Sequence, residues 1–273
     1  MNTMNDYEKV QFDEICKWEK EEPSVLKKTT GFVMKPIEWI TNKIIPQKVI
    51  QTALKCANSA AQYLADEKDI ISDSEVNCIS ELKTKDLQIS DNLANEVHNW
   101  ALALASTEGG VCGYFGLPGM VVDIPMIVTF ALRTIHKIGL CYGYKTITPG
   151  DTQFVYHIMS TAGANTMNEK DMALITLKQL YVIINKQTWK GITEKAGQKV
   201  LGNESFIIAI KTLAKQLGIN LTKRKALQTI PLIGSGVGLA MNAAFINDIS
   251  WAARRCFQKR WLADNDKIAL SKE

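Results

Sequence analysis

The alternation of apolar and polar residues that is typical of β-strands is scarce in this chain of 273 residues, which argues against a β-rich fold. Helical spacing is common instead. Tyr7, Ile15 and Trp18, for example, lie on one apolar stripe that ends before Pro23. We therefore predict an all-α protein. No composition shift marks a linker, so we expect a single domain over residues 1–273.

Paired cysteines are also missing. The chain contains six cysteines, spread singly and without a CxxC pair, and this argues against both a disulfide framework and a cysteine-based zinc site. We predict reduced thiols packed in the core. They are Cys16, Cys56, Cys78, Cys112, Cys141 and Cys256.

The motifs of the common catalytic and cofactor sites are absent. There is no HExxH, no GxSxG and no Walker A lysine. The glycines of residues 234–238 have GxGxG spacing without a βαβ context, which argues against nucleotide binding. His98, His136 and His157 stand apart from other ligand-type residues, so we expect structural or surface roles for them. We predict no metal and no cofactor.

The charge and the N-terminus limit the class of partner. The net charge is +4 and the pI near 8.6, which is too weakly basic to indicate nucleic acid but is compatible with an anionic membrane surface or lipid. No basic n-region leads into an apolar run at the N-terminus, so no secretory signal is predicted. We expect a cytoplasmic protein, with peripheral attachment at the inner face of a membrane left open.

Punctuating residues predict where the helices begin and end. Residues 66–90 are polar and acidic and are interpreted as an insert, and Ser90-Asp91 as the N-cap of the helix that follows. Tyr142-Gly143-Tyr144 should end a long helix, and Pro149 should open the next one. Other helices are predicted over residues 25–45, 47–65, 171–185, 188–200, 204–217 and 248–263.

Two glycine-rich apolar segments, residues 109–125 and 230–242, share one plan. In each, proline and small residues precede an apolar helix that contains one polar residue, Asp123 or Asn242, and basic residues follow it. We predict that they form two related helical hairpins.

These segments have three possible interpretations. Residues 226–247 are uncharged and long enough to cross a bilayer, but the glycines and polar residues make insertion poor, and a carboxylate such as Asp123 costs about 2.5–3.5 kcal/mol at a membrane centre. A second interpretation is close helix packing in a protein core, since Gly109/Gly113 and Gly234/Gly238 have GxxxG spacing. The third is a hairpin that enters a membrane or binds a lipid-like ligand.

Two further features could carry function. A carboxylate within an apolar stretch could act as a general base, but Asp123 could equally cap a helix that starts near Pro125. Basic residues of the last helix, Arg254, Arg255 and Arg260 among them, lie beside tryptophans. They could form a solvated face, or a helix lying at the headgroup level of a membrane.

Together these residues resemble the EcsC family of bacterial proteins over nearly the whole chain. The resemblance includes Ala253-Arg254, Tyr142-Gly143-Tyr144 and the tryptophan and proline near the N-terminus. It is carried above all by Gly116-Leu117-Pro118-Gly119, Asp123-Ile124-Pro125, Ala131-Leu132-Arg133, Ile230-Pro231-Leu232-Ile233-Gly234 with Asn242, and Arg260-Trp261-Leu262.

The resemblance implies a connection to an ABC transporter, because the family's name comes from an operon that encodes one, but it supplies no catalytic residues. We expect a non-enzymatic accessory protein that associates with a membrane or binds a lipid-like ligand. Its candidate binding residues are Asp123, Arg133, Asn242, Arg254 and Arg260. The alternatives are a hydrolase that uses Asp123 in a pocket between the glycine-rich segments, and a protein-interaction scaffold.

Overall fold

The computed structural model describes residues 2–23, 47–107, 123–190, 211–217 and 234–269. Helices dominate these ranges and no strand occurs in them, which confirms the all-α prediction. The helices are α1 (Asp6–Lys20), α2 (Gln47–Leu64), α3 (Lys68–Ser74), a 3₁₀ helix (Ile79–Lys83), α4 (Leu87–Ala105), α5 (Asp123–Cys141), α6 (Pro149–Ala162), α7 (Met167–Lys190) and α8 (Gly234–Asp264). Residues 211–217 are also helical.

Side-chain caps explain where several helices begin. Asn5 and Glu8 form a capping box on α1, because the Asn5 side chain accepts a hydrogen bond from the Glu8 N–H and the Glu8 carboxylate accepts one from the Asn5 N–H, each at 2.8 Å. Thr148 caps α6, whose first residue is Pro149, as the sequence predicts.

The structure corrects the predicted start of α4. This helix begins at Leu87, and its N-cap is Asp86, whose side chain accepts a hydrogen bond from the Gln88 N–H at 2.9 Å. Ser90 and Asp91 therefore lie inside the helix rather than at its N-cap, and both are buried. The prediction was wrong because these two polar residues face the interior, where Asp91 has hydrogen-bonding partners from distant parts of the chain.

Two other helices are longer than predicted. The last one, α8, begins at Gly234 instead of near Asp248, so three glycines of the second glycine-rich segment lie in its first turns. Helix α7 runs without a break to Lys190. The rest of both glycine-rich segments, and with it the predicted hairpins, lies outside the described residues, as do residues 25–45 and 191–210.

Helices α5 and α8 form the centre of the bundle. Helix α5 packs against α2, α4, α6 and α8, and α8 also packs against α1, α4 and α6. The two central helices approach closely at Gly139, where an added Cβ would lie 2.8 Å from Phe257 Cζ. Phe257 is itself held among Tyr142, Tyr144 and Phe154, with ring centroids 5.5–6.3 Å apart.

The end of α5 follows the prediction for Tyr142-Gly143-Tyr144. Gly143 has a φ of +87°, and an added Cβ would lie 2.7 Å from the backbone nitrogen of Lys83. Glycine is therefore required at this turn both for its conformation and for space. The turn brings both tyrosines into the core, each with at most 2% of its surface exposed.

The segment 66–90 contributes to the core of the described structure. Ile70, Ile79, Leu82 and Leu87 are buried there among residues of the central helices. The interpretation of this segment as an insert stays a prediction.

The thiol prediction is confirmed only in part. Cys141 and Cys256 are buried, whereas Cys56 and Cys78 are exposed and Cys16 is partly exposed. All five are free, and Cys112 lies outside the described residues.

The two ends of the described chain meet. The backbone N–H of Asn2 donates to the carbonyl oxygen of Asp266 at 2.8 Å, and its side-chain amide donates to that of Asn265 at 3.1 Å. Lys267 Nζ donates to the carbonyl oxygen of Thr3 at 3.0 Å. The start of α1 is therefore anchored to the chain that follows α8.

Candidate functional site

The arginines of α8 are buried and are held by other protein groups. Arg254, Arg255 and Arg260 each have only 8% of their surface exposed. Both interpretations of these arginines, as a solvated basic face and as part of a helix at the headgroup level, are therefore wrong. Opposed carboxylates, amides and aromatic rings explain how these cations are accommodated in the core.

Arg260 forms a buried ion pair. Its Nη1 lies 3.0 Å from Asp151 Oδ1 on α6, and both side chains are less than 10% exposed. The guanidinium carbon lies 4.2 Å from the ring centroid of Tyr144 and 5.1 Å from that of Phe154. This predicted binding residue therefore ties α8 to α6 and to the turn after α5.

Arg254 is engaged by α4 and by its own helix. Its Nη1 donates to Asn95 Oδ1 at 3.0 Å and lies 3.5 Å from His98 Nδ1, and its guanidinium carbon lies 4.5 Å from the ring centroid of Trp251. Burial lowers the pKa of His98, although a hydrogen bond to Asn247 acts in the opposite direction. A neutral His98 can accept a hydrogen bond from the arginine.

Near these arginines, one buried carboxylate on α4 accepts three hydrogen bonds. Asp91 accepts from Tyr7 at 2.8 Å, from Tyr142 at 2.5 Å and from Gln258 at 2.8 Å. Burial, reinforced by the charge of Asp91, raises the pKa of Tyr142 well above its usual value. Both tyrosines therefore act as hydrogen-bond donors, and the cluster links α1, α4 and α8.

The other three predicted site residues are dispersed. Arg133 on α5 is buried; its Nε donates to the carbonyl oxygen of Leu64 at 3.2 Å and its guanidinium carbon lies 4.6 Å from the ring centroid of Trp100. Asn242 lies half-buried in α8. Asp123 is the first residue of α5, and its side chain lies outside the described set. The structure does not bring these residues together with Arg254 or Arg260 into one described pocket.

The best candidate for a functional site is a cleft of about 350 Å³ between the C-terminal end of α1 and the middle of α8. We call it the Trp18–Trp251 cleft. Its volume falls within the range of ordinary small-molecule sites. The remaining walls consist of Glu14, Glu21, Glu22, Pro23, Thr161, Ala162, Lys170, Asn247, Asp248, Ala252 and Arg255.

Charges of both signs line this cleft. Arg255 donates from Nη1 to Gln11 and to Gln258, each at 3.0 Å, and its Nη2 lies 3.7 Å from Glu14. Lys170 donates to the carbonyl oxygen of Trp18 and, at 2.7 Å, to that of Glu21, and its Nζ lies 4.7 Å from the Trp18 ring centroid. Burial lowers the pKa of Lys170, while the nearby Glu21 carboxylate raises it.

A smaller cavity of about 40 Å³ shares two of its walls, Trp18 and Arg255, with the cleft. Phe154, Leu174 and Leu177 give it an apolar side. This volume accommodates a short apolar group and no more.

Sequence reasoning missed the cleft, because its walls come from four separate parts of the chain. Trp18 and Pro23 were noted as parts of a helical stripe and its end and of the family resemblance, and Arg255 only as part of a basic face. The available signal was the tryptophan beside three acidic residues just before Pro23. That Trp251 lines the same cleft as Trp18 depends on tertiary packing.

Two chemical possibilities find no support in the described ranges. Histidine, cysteine and carboxylate side chains nowhere gather in threes with the spacing of a metal site in that part of the chain. Likewise, none of the helices searched there combines the length with the hydropathy of a bilayer-spanning segment.

Comparison with known proteins agrees with the resemblance seen in the sequence. Residues 9–262 match the model of the EcsC protein family. The chain is similar to a Bacillus subtilis (strain 168) protein, the uncharacterised protein YdbA, with 20% identity over 269 residues that cover 94% of this chain and 93% of that one. No solved structure matches. On the strength of the family match, which extends over most of its length, the chain belongs to the EcsC protein family.

Proposed function

We propose that this EcsC-family protein is a non-enzymatic accessory protein that binds a lipid-like amphiphile, with the polar head of the ligand in the Trp18–Trp251 cleft. The observation that carries the proposal is the cleft itself. It has the volume of a small-molecule site, two tryptophans and charges of both signs.

The lining of the cleft suits a zwitterionic head. Lys170 and Arg255 provide positive charge for a phosphate, and Glu14 and Glu21 provide negative charge for an ammonium group. Trp18 and Trp251 add aromatic surface that can pack against the apolar parts of such a headgroup. The adjoining small cavity, with Leu174 on its apolar side, would take the first carbons of a chain.

A soluble short-chain phospholipid tests the proposal directly. We expect dihexanoyl phosphatidylcholine, added as monomers, to change tryptophan fluorescence in a saturable manner. Trp18→Phe should remove much of that change. Ala162→Leu, which places extra volume in the cleft wall, should weaken binding at least about tenfold, a loss of roughly 1.4 kcal/mol.

The matched control is Ala103→Leu, the same substitution at an exposed position of α4, which should leave binding unchanged. Equal affinity of the Ala162→Leu and wild-type proteins, or the absence of saturable binding, would contradict the cleft proposal. Flotation with phosphatidylcholine vesicles, with and without anionic lipid, separates uptake of single lipids from peripheral attachment to a membrane surface.

A further inference from the structure

Helix α1 has an unusually acidic inner face. The segment from Asp6 to Glu22 contains seven acidic and three basic residues. Ile15 is its one fully buried apolar residue, whereas Glu8 is also buried and Glu14 and Glu19 are partly buried. The side of α1 that faces the protein therefore combines these carboxylates with apolar side chains, since Tyr7, Phe12 and Trp18 also pack, partly buried, against the core.

Beneath α1 lies a row of cations that we call the basic stripe: Lys170, Arg255, Lys259 and Lys267. Three of them face α1 carboxylates. Lys259 Nζ lies 2.5 Å from Glu19 Oε1 and Lys267 Nζ lies 3.1 Å from Glu8 Oε2. Arg255 Nη2 is 3.7 Å from Glu14 Oε2.

The fourth cation, Lys170, donates to carbonyl oxygens at the C-terminal end of α1, those of Trp18 and Glu21. A cation is favourable at this negative end of the helix dipole. The basic stripe therefore contacts α1 from its first turn to its last.

Contacts of this kind let a helix detach more easily than the rest of the bundle. The Lys259–Glu19 pair is partly exposed on both sides and the Arg255–Glu14 pair on the side of Glu14. Partly exposed ion pairs are individually weak and are screened by salt. By contrast, α5 is held by fully buried apolar residues, such as Phe130, Leu132 and Ile135. With Ile15 as its one fully buried apolar residue, α1 should open at a lower free energy than the whole fold.

We infer that α1 is an exchangeable strap, and that the basic stripe beneath it is a docking surface for an acidic amphipathic helix of a partner protein. Helix α1 itself shows what fits there: carboxylates spaced to meet three of the cations, a C-terminal end whose carbonyl oxygens meet Lys170, and a central aliphatic side chain. A partner helix with that pattern would compete with α1 for the same surface. The inference is independent of lipid binding, although the departure of α1 would also remove the Trp18 wall of the cleft.

A peptide competition experiment tests this. The probe is a fluorescently labelled peptide of residues 2–23, titrated with the full chain and followed by anisotropy. The Glu14→Gln/Glu19→Gln chain, whose own strap is weakened, should bind the peptide at least about tenfold more tightly than the wild-type chain. Binding should weaken as salt is raised. A peptide with glutamine at positions 8, 14 and 19 should not bind.

The matched control is the Asp6→Asn/Asp13→Asn chain, which removes two charges from the exposed side of α1 and should bind the peptide as weakly as the wild type does. Failure of both chains to bind the peptide, equal binding by the control chain, or equal binding of the glutamine peptide would overturn the inference. So would capture of phosphatidylglycerol vesicles by the weakened chain in place of the peptide. Circular dichroism of each chain verifies that it is folded.

Hydrogen exchange on the unaltered protein gives an answer that does not depend on any variant. The amides of α1 should exchange faster than those of α5, and raising the salt concentration should speed exchange in α1 selectively. Equal protection of both helices at every salt concentration would overturn the inference.

Discussion

Arg260 and Asp151 are a buried ion pair, and each depends on the other for its stability in the core. We expect Asp151→Asn to lower the free energy of unfolding by about 3–5 kcal/mol, because it leaves the arginine without its counter-charge. The double variant Asp151→Leu/Arg260→Met should lose less than the sum of its two single substitutions. Chemical denaturation of the wild type, the single variants Asp151→Leu and Arg260→Met, and the double variant measures the coupling energy. Strict additivity would contradict the role of the pair.

His136 makes stability depend on pH. It is buried, its Nε2 lies 2.9 Å from Asn58 Oδ1 and its Nδ1 contacts Thr146, and burial lowers its pKa to about 4. Because the unfolded chain, with a histidine pKa near 6.5, binds the proton more readily, the neutral histidine's contribution is complete above pH 6.5 and is lost as the pH falls toward 4.

From this shift we expect His136 to account for a loss of about 2 kcal/mol between pH 7 and pH 5. Urea unfolding at both pH values should show a smaller loss in His136→Gln than in the wild type. An identical pH dependence of the two proteins would contradict the lowered pKa of His136 in the folded state.

Helix boundaries were predictable from the sequence where proline or glycine marks the turn. The start of α6 at Pro149 and the end of α5 before Gly143 were predictable, because proline and glycine have specific backbone requirements there. The starts of α4 and α8 were not. Asp91 was taken for a cap although it pairs with Tyr142, 51 residues away, and the glycines near Gly234 were not expected to be helical.

The cap of α4 is a separate and testable element. Asp86→Ala removes the side chain that accepts the Gln88 N–H and should lower the free energy of unfolding by about 1 kcal/mol. The nearby Gln88→Ala, at an exposed position, serves as the control and should have little effect in the same denaturation experiment. Equal effects of the two substitutions would argue against the cap.

The candidate site illustrates the limits of sequence reasoning at the scale of the whole molecule. The arginines of α8 were recognised as unusual, but their burial depends on partners in other helices, such as Asp151 for Arg260 and Asn95 for Arg254. Nothing in the spacing along α8 distinguishes a buried arginine from an exposed one. The Trp18–Trp251 cleft depends equally on long-range packing.

Thiol reactivity reports on the integrity of the whole bundle. Cys56 and Cys78 are exposed, whereas Cys141 and Cys256 are buried and burial raises the pKa of both thiols. We expect a maleimide to label the exposed pair at least ~100-fold faster than the buried pair in the folded protein. Mass spectrometry of the labelled peptides measures each site, and comparable rates at all four would contradict the packed core.

Asn2 is hydrogen-bonded to the backbone of Asp266. Because these two residues are adjacent in space, the chain could be joined there without a change in how the helices pack. A circularly permuted gene that fuses this junction through a short linker and opens the chain at the exposed Ile147 should yield the same bundle. In such a permutant, the linker would connect the N-terminal side of α1 to the end of α8. The sequence of α1 could then be replaced by that of another acidic helix within the same polypeptide.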